Sequence, residues 1–280
     1  MAEKNIYLPY LMRIAQITDE TPAVKTFRLE FMNEEDTQNF AFKTGQFGLY
    51  SAFGAGESTF CIASSPTRKG YIECTFQKVG RVTSALADKE VGDIVGFRGP
   101  YGNIFPIEEW KGKNLLFVAG GIALPPLRSV IWNCLDLRDW FQTITLVYGA
   151  RRAEDLVYKQ ELQTWQARAD IEVILTVYYG SGAPPGWQGQ VGSLPHIVEQ
   201  LAPQSDNTIA IVCGSPHTIG QTLPLLASRG FAPENIFTTL ENRMKCGFGK
   251  CGRCNTGKSF VCKDGPVYTL AQLQELPAEY

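Results

Sequence analysis

The chain has 280 residues, 44% of them hydrophobic and 19% charged, which is enough for two ordinary domains plus a small appendage with globular composition. Its formal net charge is −2 and no run of Lys or Arg exceeds a pair, so the sequence carries no electrostatic footprint for nucleic acid or an anionic membrane. No apolar stretch approaches the roughly eighteen residues that a membrane helix needs.

From Tyr7 to about Pro106 the chain reads as short alternating strands, among them Ala23–Phe31 and Gly70–Val79, punctuated by Gly, Pro and Asp. That spacing predicts an antiparallel barrel, with Asp93–Gly102 as its last strand and exit turn. Two segments in this half, Phe60-Cys61-Ile62-Ala63-Ser64-Ser65-Pro66 and Gly80-Arg81-Val82-Thr83-Ser84, mix small hydroxyl residues with strand formers. Such groups can hold a flat cofactor and its phosphates, but Ser and Thr are also ordinary turn and cap residues, and by composition alone the turn reading is favoured.

From Lys113 the pattern changes to continuous apolar runs alternating with helical stretches. The runs are 114–119, 143–148, 171–177 and 208–213, and the helical stretches include 156–167 and 219–228. Buried strands alternating with helices predict a doubly wound parallel sheet. Pro184-Pro185-Gly186 reads as a surface loop. Ligands of such sheets bind at the carboxyl ends of the strands, which here are Gly120-Gly121-Ile122, Tyr148-Gly149 with Arg151, and Cys213-Gly214-Ser215. Glycine there lets a pyrophosphate approach the backbone and the N-terminus of the next helix, and three glycine-bearing ends together point to a nucleotide site. A single Gly-Gly reads equally well as a plain strand-to-helix turn and as a ligand position.

The last stretch holds Cys246, Cys251, Cys254 and Cys262 in the order C-x4-C-x2-C followed by a fourth cysteine. This is the plant-type spacing for a 2Fe-2S cluster, and the intervening glycines allow a tight loop whose amides face sulfur. Two other readings stay open. Zinc held by four cysteines usually pairs two C-x2-C knuckles, and only one is present. Disulfides need an oxidising compartment, whereas the first residues lack a basic stretch followed by an apolar one, so a cytoplasmic location is expected. Cys61, Cys74, Cys134 and Cys213 stand singly among apolar residues, as small buried hydrophobes do.

Taken in order, Phe60–Pro66, Gly80–Ser84, Gly99–Asn103, Val118–Gly121, Tyr148–Arg151, Cys213–Pro216 and Met244–Cys254 resemble the ferredoxin–NADP reductase superfamily. More narrowly, the series is similar to the flavin subunits of NiFe hydrogenases (sulfhydrogenase gamma subunits) and of anaerobic sulfite reductase, with dihydroorotate dehydrogenase electron-transfer subunits more distant. The resemblance implies an FAD-binding β-barrel over 1–107, an NAD(P)-binding α/β domain over 108–236 and a 2Fe-2S segment over 237–280. It implies that Phe60, Cys61, Ile62, Ala63 and Ser64 line the flavin ring, with Cys61 facing N5, and that Gly80, Val82, Thr83 and Ser84 cradle the FAD pyrophosphate. The strand-end residues Gly120, Gly121, Ile122, Tyr148, Gly149, Arg151, Cys213, Gly214 and Ser215 would serve NAD(P)H. The implied activity is electron transfer among NAD(P)H, FAD and the cluster, to or from a partner carrying further iron–sulfur clusters, a hydrogenase or sulfite-reductase assembly. No acid–base role falls to His196 or His217.

Two departures bear on that expectation. Ser58 stands where plant-type members carry an arginine for the flavin phosphate, a pattern that the hydrogenase and sulfite-reductase branch shares. Ala123 and Pro125 stand in Gly120-Gly-Ile-Ala-Leu-Pro-Pro126, adding a methyl and removing an amide where pyrophosphate is expected. The alternatives are a stand-alone NAD(P)H dehydrogenase and a redox-sensing scaffold whose nicotinamide pocket is impaired.

Overall fold

Alternation of apolar and polar residues sets the first strands of the computed structural model, which describes residues 5–178 and 186–277. In β1 (Tyr10–Thr21), Met12 and Ile14 are fully buried while the alternate residues Leu11 and Arg13 face out. β2 (Val24–Phe31) follows, then the short α1 (Glu34–Asn39), β3 (Phe47–Ala52), β4 (Gly56–Cys61), β5 (Ile72–Gln77), α2 (Arg81–Ala87) and β6 (Ile94–Tyr101). The six strands form an antiparallel sheet in the order β4-β3-β6-β1-β2-β5. Its two edges are closed by the segment after β4, where the Ala63 N–H donates to the Glu73 carbonyl (2.7 Å) and the Ser64 hydroxyl accepts from the Glu73 N–H (3.1 Å). The sheet thus becomes a barrel filled by Met12, Phe27, Tyr50, Phe76 and Phe97, among others, with α2 packed on through Leu86, Val82 and Ala85.

β3 is buried on both faces, which alternation alone does not predict. Tyr50 and Ala52 point into the barrel, and the outward Phe47 and Leu49 are covered as well. The cover is the stretch Glu241–Pro266, which groups with Met1–Phe105 as one compact unit. The second unit comprises Pro106–Leu240 and Val267–Tyr280. The expected 237–280 appendage is therefore divided between the two.

In the second unit, β7 (Asn114–Gly120), α3 (Leu124–Asp136), β8 (Ile144–Ala150), α4 (Lys159–Gln166), β9 (Glu172–Val177), β10 (Gln190–Val191), α5 (Leu194–Leu201), β11 (Thr208–Cys213), α6 (Pro216–Ser228) and β12 (Ile236–Thr239) alternate along the chain. In the first unit, the cysteine stretch adds a two-residue ladder of β13 (Asn255–Thr256) with β14 (Ser259–Phe260), and the single turn α7 (Val261–Asp264). The chain then supplies the second unit with β15 (Val267–Thr269) and α8 (Leu270–Gln274).

The second sheet has the order β10-β9-β8-β7-β11-β12-β15, parallel except for β15, which runs antiparallel to β12. The strand order reverses direction between β7 and β11, the topological switch point of such sheets. One face packs Leu116, Val118, Val147, Ala210 and Val212 under α5 and α6. The alternate residues Phe117, Leu146, Tyr148 and Ile211 are equally buried, so both faces are covered, as continuous apolar strands require. α3 and α4 are joined by the Trp132–Trp165 edge contact, ring centroids 5.4 Å apart. The Pro184–Pro185 part of the expected loop lies outside the described residues.

Candidate redox and nucleotide sites

At the end of β4, Phe60 and Cys61 keep part of their surface exposed, whereas Ile62, Ala63 and Ser64 are buried. Phe60 stacks on Phe76 (centroids 5.5 Å, planes 29° apart) and contacts Tyr50. The segment 62–64 spends its amide and hydroxyl on closing the barrel, so the side chains that keep surface at this end of β4 are Phe60 and Cys61.

The first turn of α2 is organised by Thr83. Its hydroxyl accepts from the Val79 and Gly80 N–H groups (3.0 and 2.8 Å) and donates to the Gly80 carbonyl (3.0 Å). The Thr83 side chain therefore shapes the turn, and any grip on an anion falls to first-turn amides that no helix carbonyl reaches. A side chain at Gly80 would meet nothing within 4 Å, so the approach to those amides is open. The residues fit a pyrophosphate. Ser58 pairs with Tyr50 across the ladder. The buried arginine of this region is Arg98, held by Glu57 through two bonds of 2.9 and 2.7 Å. Those bonds keep the Glu57 carboxyl below its ordinary range, the Arg98 hydrogen bond being the main cause.

The cysteine loop lies on the outer face of β3, β4 and β6. The Thr59 hydroxyl of β4 donates to the Met244 carbonyl (3.3 Å), and Asn103 binds the 264–265 turn through its side chain (3.1 Å) and its N–H (2.6 Å). Gly247 follows the first cysteine with φ +90°, and an added Cβ would lie 2.5 Å from the Tyr101 ring. Only glycine lets the loop press so close to the barrel.

The four cysteines associate in two pairs, Cys246 with Cys251, whose N–H points at the Cys246 sulfur (3.5 Å), and Cys254 with Cys262. Backbone amides point at them: Lys250 N–H at Cys246 Sγ (3.2 Å), Gly249 N–H at Cys262 Sγ (3.1 Å) and Cys262 N–H at Cys254 Sγ (3.5 Å). Burial raises the Cys246 thiol, but the amides of Cys251, Phe248 and Lys250 outweigh it and bring the group down to about 6. Burial, together with the neighbouring Cys254, pushes Cys262 up to about 12. Two bridged irons take their ligands two and two, and this paired set with its N–H···S donors fits that arrangement.

In the second unit the strand-end residues divide by role. Tyr148 is fully buried; its hydroxyl donates to the Gly121 carbonyl (3.0 Å) and accepts from the Val157 N–H (3.1 Å), making it a strut behind the β7 turn. A Cβ at Gly149 would fall 2.7 Å from Thr176 and 3.0 Å from Leu194, so this glycine admits the start of α5, a packing role. Cys213 is buried with its sulfur 3.3 Å from the Thr239 hydroxyl, and Ser215 caps α6 by accepting from the Thr218 N–H (3.2 Å). Gly121, with φ +54° and open space beside it, together with the exposed Ile122 and Arg151, presents accessible surface.

At the start of α3 the Leu124 N–H turns back to the Gly121 carbonyl, and Pro125 and Pro126 have no N–H. That first turn keeps its dipole but offers an anion few donors. His196 and His217 are exposed. In sequence, Tyr148 and Gly149 pass for ligand residues because burial cannot be read from a strand-end pattern. The strut and the Leu194 contact appear only with the fold.

Residues 117–222 match the oxidoreductase NAD-binding domain family, and residues 241–274 match the iron–sulfur cluster binding domain of dihydroorotate dehydrogenase B. Sulfhydrogenase 1 subunit gamma of Pyrococcus furiosus is 37% identical over 281 residues, covering 99% of this chain and 96% of that one. Sulfhydrogenase 2 subunit gamma of the same organism is 36% identical, covering 95% and 96%. A probable dihydroorotate dehydrogenase B (NAD(+)) electron transfer subunit, also from P. furiosus, is 31% identical, covering 89% and 86%. Among solved structures, an NADH-dependent reduced ferredoxin–NADP oxidoreductase superposes with a TM-score of 0.75 at 21% identity, covering 100% of this chain and 95% of that one, a likeness of fold.

Proposed function

Because the chain belongs to the ferredoxin–NADP reductase superfamily, among the sulfhydrogenase gamma and dihydroorotate dehydrogenase electron-transfer subunits, we propose that it is an electron-transfer subunit joining NAD(P)H, FAD and a 2Fe-2S cluster to a partner redox enzyme. The observation that carries the reading is the pairing of the four cysteines under backbone N–H donors, in a segment that matches an iron–sulfur domain. When bound, the flavin and the cluster supply the exchange of one hydride for two single electrons.

The chain's own residues hold and orient these groups. Phe60 and Cys61 offer the exposed end of β4 to the flavin ring. The first-turn amides of α2, shaped by Thr83 and opened by Gly80, take its pyrophosphate. Cys246 and Cys251 would hold one iron, Cys254 and Cys262 the other, and the amides of Gly249, Lys250 and Cys262 stabilise negative charge on sulfur. Gly121, Ile122 and Arg151 present the accessible part of the nicotinamide nucleotide site, with Gly120 and Gly214 beside it and Tyr148 behind. The sparse donors of α3 favour a weak grip on that nucleotide, so binding depends on Arg151 and on contacts to its other parts.

The proposed partner is a hydrogenase-type enzyme, on the strength of the 37% identical relative named as a sulfhydrogenase subunit. A cytoplasmic location belongs to the same reading. Among the described residues no helix is long and apolar enough to cross a membrane.

Anaerobic titration of the FAD-loaded chain with NADH and with NADPH, followed by flavin absorbance, tests the nicotinamide half; absence of bleaching by either defeats it. Iron and acid-labile sulfide analysis tests the cluster, and zinc in their place overturns it. Full turnover by the isolated chain with its native acceptor would instead favour a stand-alone dehydrogenase.

A further inference from the structure

Six cations occur between Glu241 and Pro266, namely Arg243, Lys245, Lys250, Arg253, Lys258 and Lys263, against the carboxylates Glu241 and Asp264. That stretch is positive in a chain whose formal net charge is −2. All six are exposed. Elsewhere in the same unit Arg13, Lys25, Arg28, Lys78, Lys89 and Arg98 each sit in an ion pair, with Glu30, Asp19, Glu73, Asp88, Asp93 and Glu57. Among the described residues none of the six cations of the cysteine stretch forms one. The Asp264 carboxylate accepts the Phe260 N–H at 2.7 Å and forms no ion pair with them, and two carboxylates against six cations leave the stretch positive. Lys250 instead donates to the Tyr7 hydroxyl (2.9 Å).

Two further observations place this charge where electrons would leave. Cys251 is the exposed member of the four cysteines, and Lys250 and Arg253 flank it. Beside the loop, Tyr7 packs edge-on against Phe248 (5.6 Å), and Ile6, Tyr7 and Leu8 are 49%, 54% and 63% exposed. An apolar and aromatic patch with cations around it is the composition of a protein-docking surface, and unneutralised charge of one sign speeds encounter with the opposite sign.

We propose that the cysteine stretch and the Ile6–Leu8 segment form a docking surface for the acidic face of a redox protein, guiding it onto Cys251. The proposal rests on the reading of the cluster as the point of single-electron exchange. Mixed apolar and basic character around a cysteine ligand favours a protein over a lipid surface, where cations alone suffice.

The test uses the full chain with its cluster, reduced by dithionite and desalted under anaerobic conditions, so that no nicotinamide step is involved. The probes are the acidic soluble domain of cytochrome b5 and the basic cytochrome c, each followed by its haem absorbance in stopped flow. Cytochrome b5 reduction is expected to slow about tenfold or more from low to high salt, while cytochrome c reduction stays flat or rises. The variant K250Q/R253Q/K258Q is expected to lose about tenfold toward cytochrome b5 at low salt and to meet the parent at high salt. R243Q/K258Q, whose residues lie three and four positions from the nearest cysteine and do not flank Cys251, is expected to lose a smaller share with the cluster's EPR signal unchanged.

Equal, salt-insensitive rates with both cytochromes, or variants that match the parent, overturn the proposal. So does salt-sensitive sedimentation on phosphatidylserine vesicles without a response toward cytochrome b5, which would assign the surface to lipid. A chain without iron and labile sulfide refutes the functional reading instead. Docking is then read from salt-dependent binding of cytochrome b5 to the immobilised chain, which requires no electron transfer.

Discussion

Replacing Gly247 by alanine tests the close seating of the cysteine loop on the barrel. Two costs can be separated. The residue has φ +90°, where a Cβ costs roughly 1–2 kcal/mol. The new methyl would also sit 2.5 and 2.7 Å from the Tyr101 ring and 2.9 Å from Leu49, in a region with no slack, and overpacking of this kind costs about 1–3 kcal/mol. Together they reach about 2–5 kcal/mol, a lowering of Tm on the order of 10 °C for a unit of this size.

Because Cys246 precedes the glycine, the loop is expected to shift away from Tyr101, and iron and sulfide content to fall with it. The double variant Tyr101→Ala/Gly247→Ala removes the ring clash but not the dihedral strain. Relative to Tyr101→Ala alone, the glycine change should then cost the roughly 1–2 kcal/mol of strain plus what the remaining Leu49 contact adds, and the reduction from the single variant is the coupling between the two positions. The measurements are thermal unfolding followed by tryptophan fluorescence, and iron and labile-sulfide analysis. A Gly247→Ala protein with the parent's Tm and full cluster content would refute the account of how the loop is seated.

Three other outcomes follow from single contacts. Arg98→Met removes the two Arg98 hydrogen bonds from Glu57, leaving that of the Ser51 hydroxyl (3.1 Å), and is expected to cost about 1–3 kcal/mol at neutral pH. Since the folded Glu57 value is depressed, its contribution is present above the ordinary glutamate value and lost as pH falls through the lowered one, so the gap in Tm between parent and variant should close on acidification. Tyr148→Phe strands the buried Val157 N–H and removes one of the two donors to the Gly121 carbonyl; it should raise KM for the nicotinamide nucleotide with flavin and cluster spectra unchanged, and an unaltered KM would remove the strut from the site. In metal-free protein, iodoacetamide should modify Cys246 far ahead of Cys262, with a rate that rises through about pH 6, as peptide mass mapping would show.

Elements whose signal is local are legible in the residues alone. C-x4-C-x2-C spacing marks the cysteine loop, period-two alternation marks strands such as β2 and β5, and the continuous apolar runs mark β7, β8, β9 and β11, because each pattern is set by neighbours along the chain. Other features exist only once distant segments meet. β12 and β15, four and three residues long, gain their identity from pairing with each other and with β11, and β15 takes the end of the expected appendage into the second unit.

Tyr148 and Gly149 look like ligand residues in sequence, and become a strut and a packing contact once the α5 start and the 157 loop close over them. The six cations of the cysteine stretch are spaced singly, so no run of charge announces them, and a chain total of −2 conceals them. The folded stretch leaves all six exposed and brings Lys250 to Tyr7, a contact across 243 residues that the sequence does not announce.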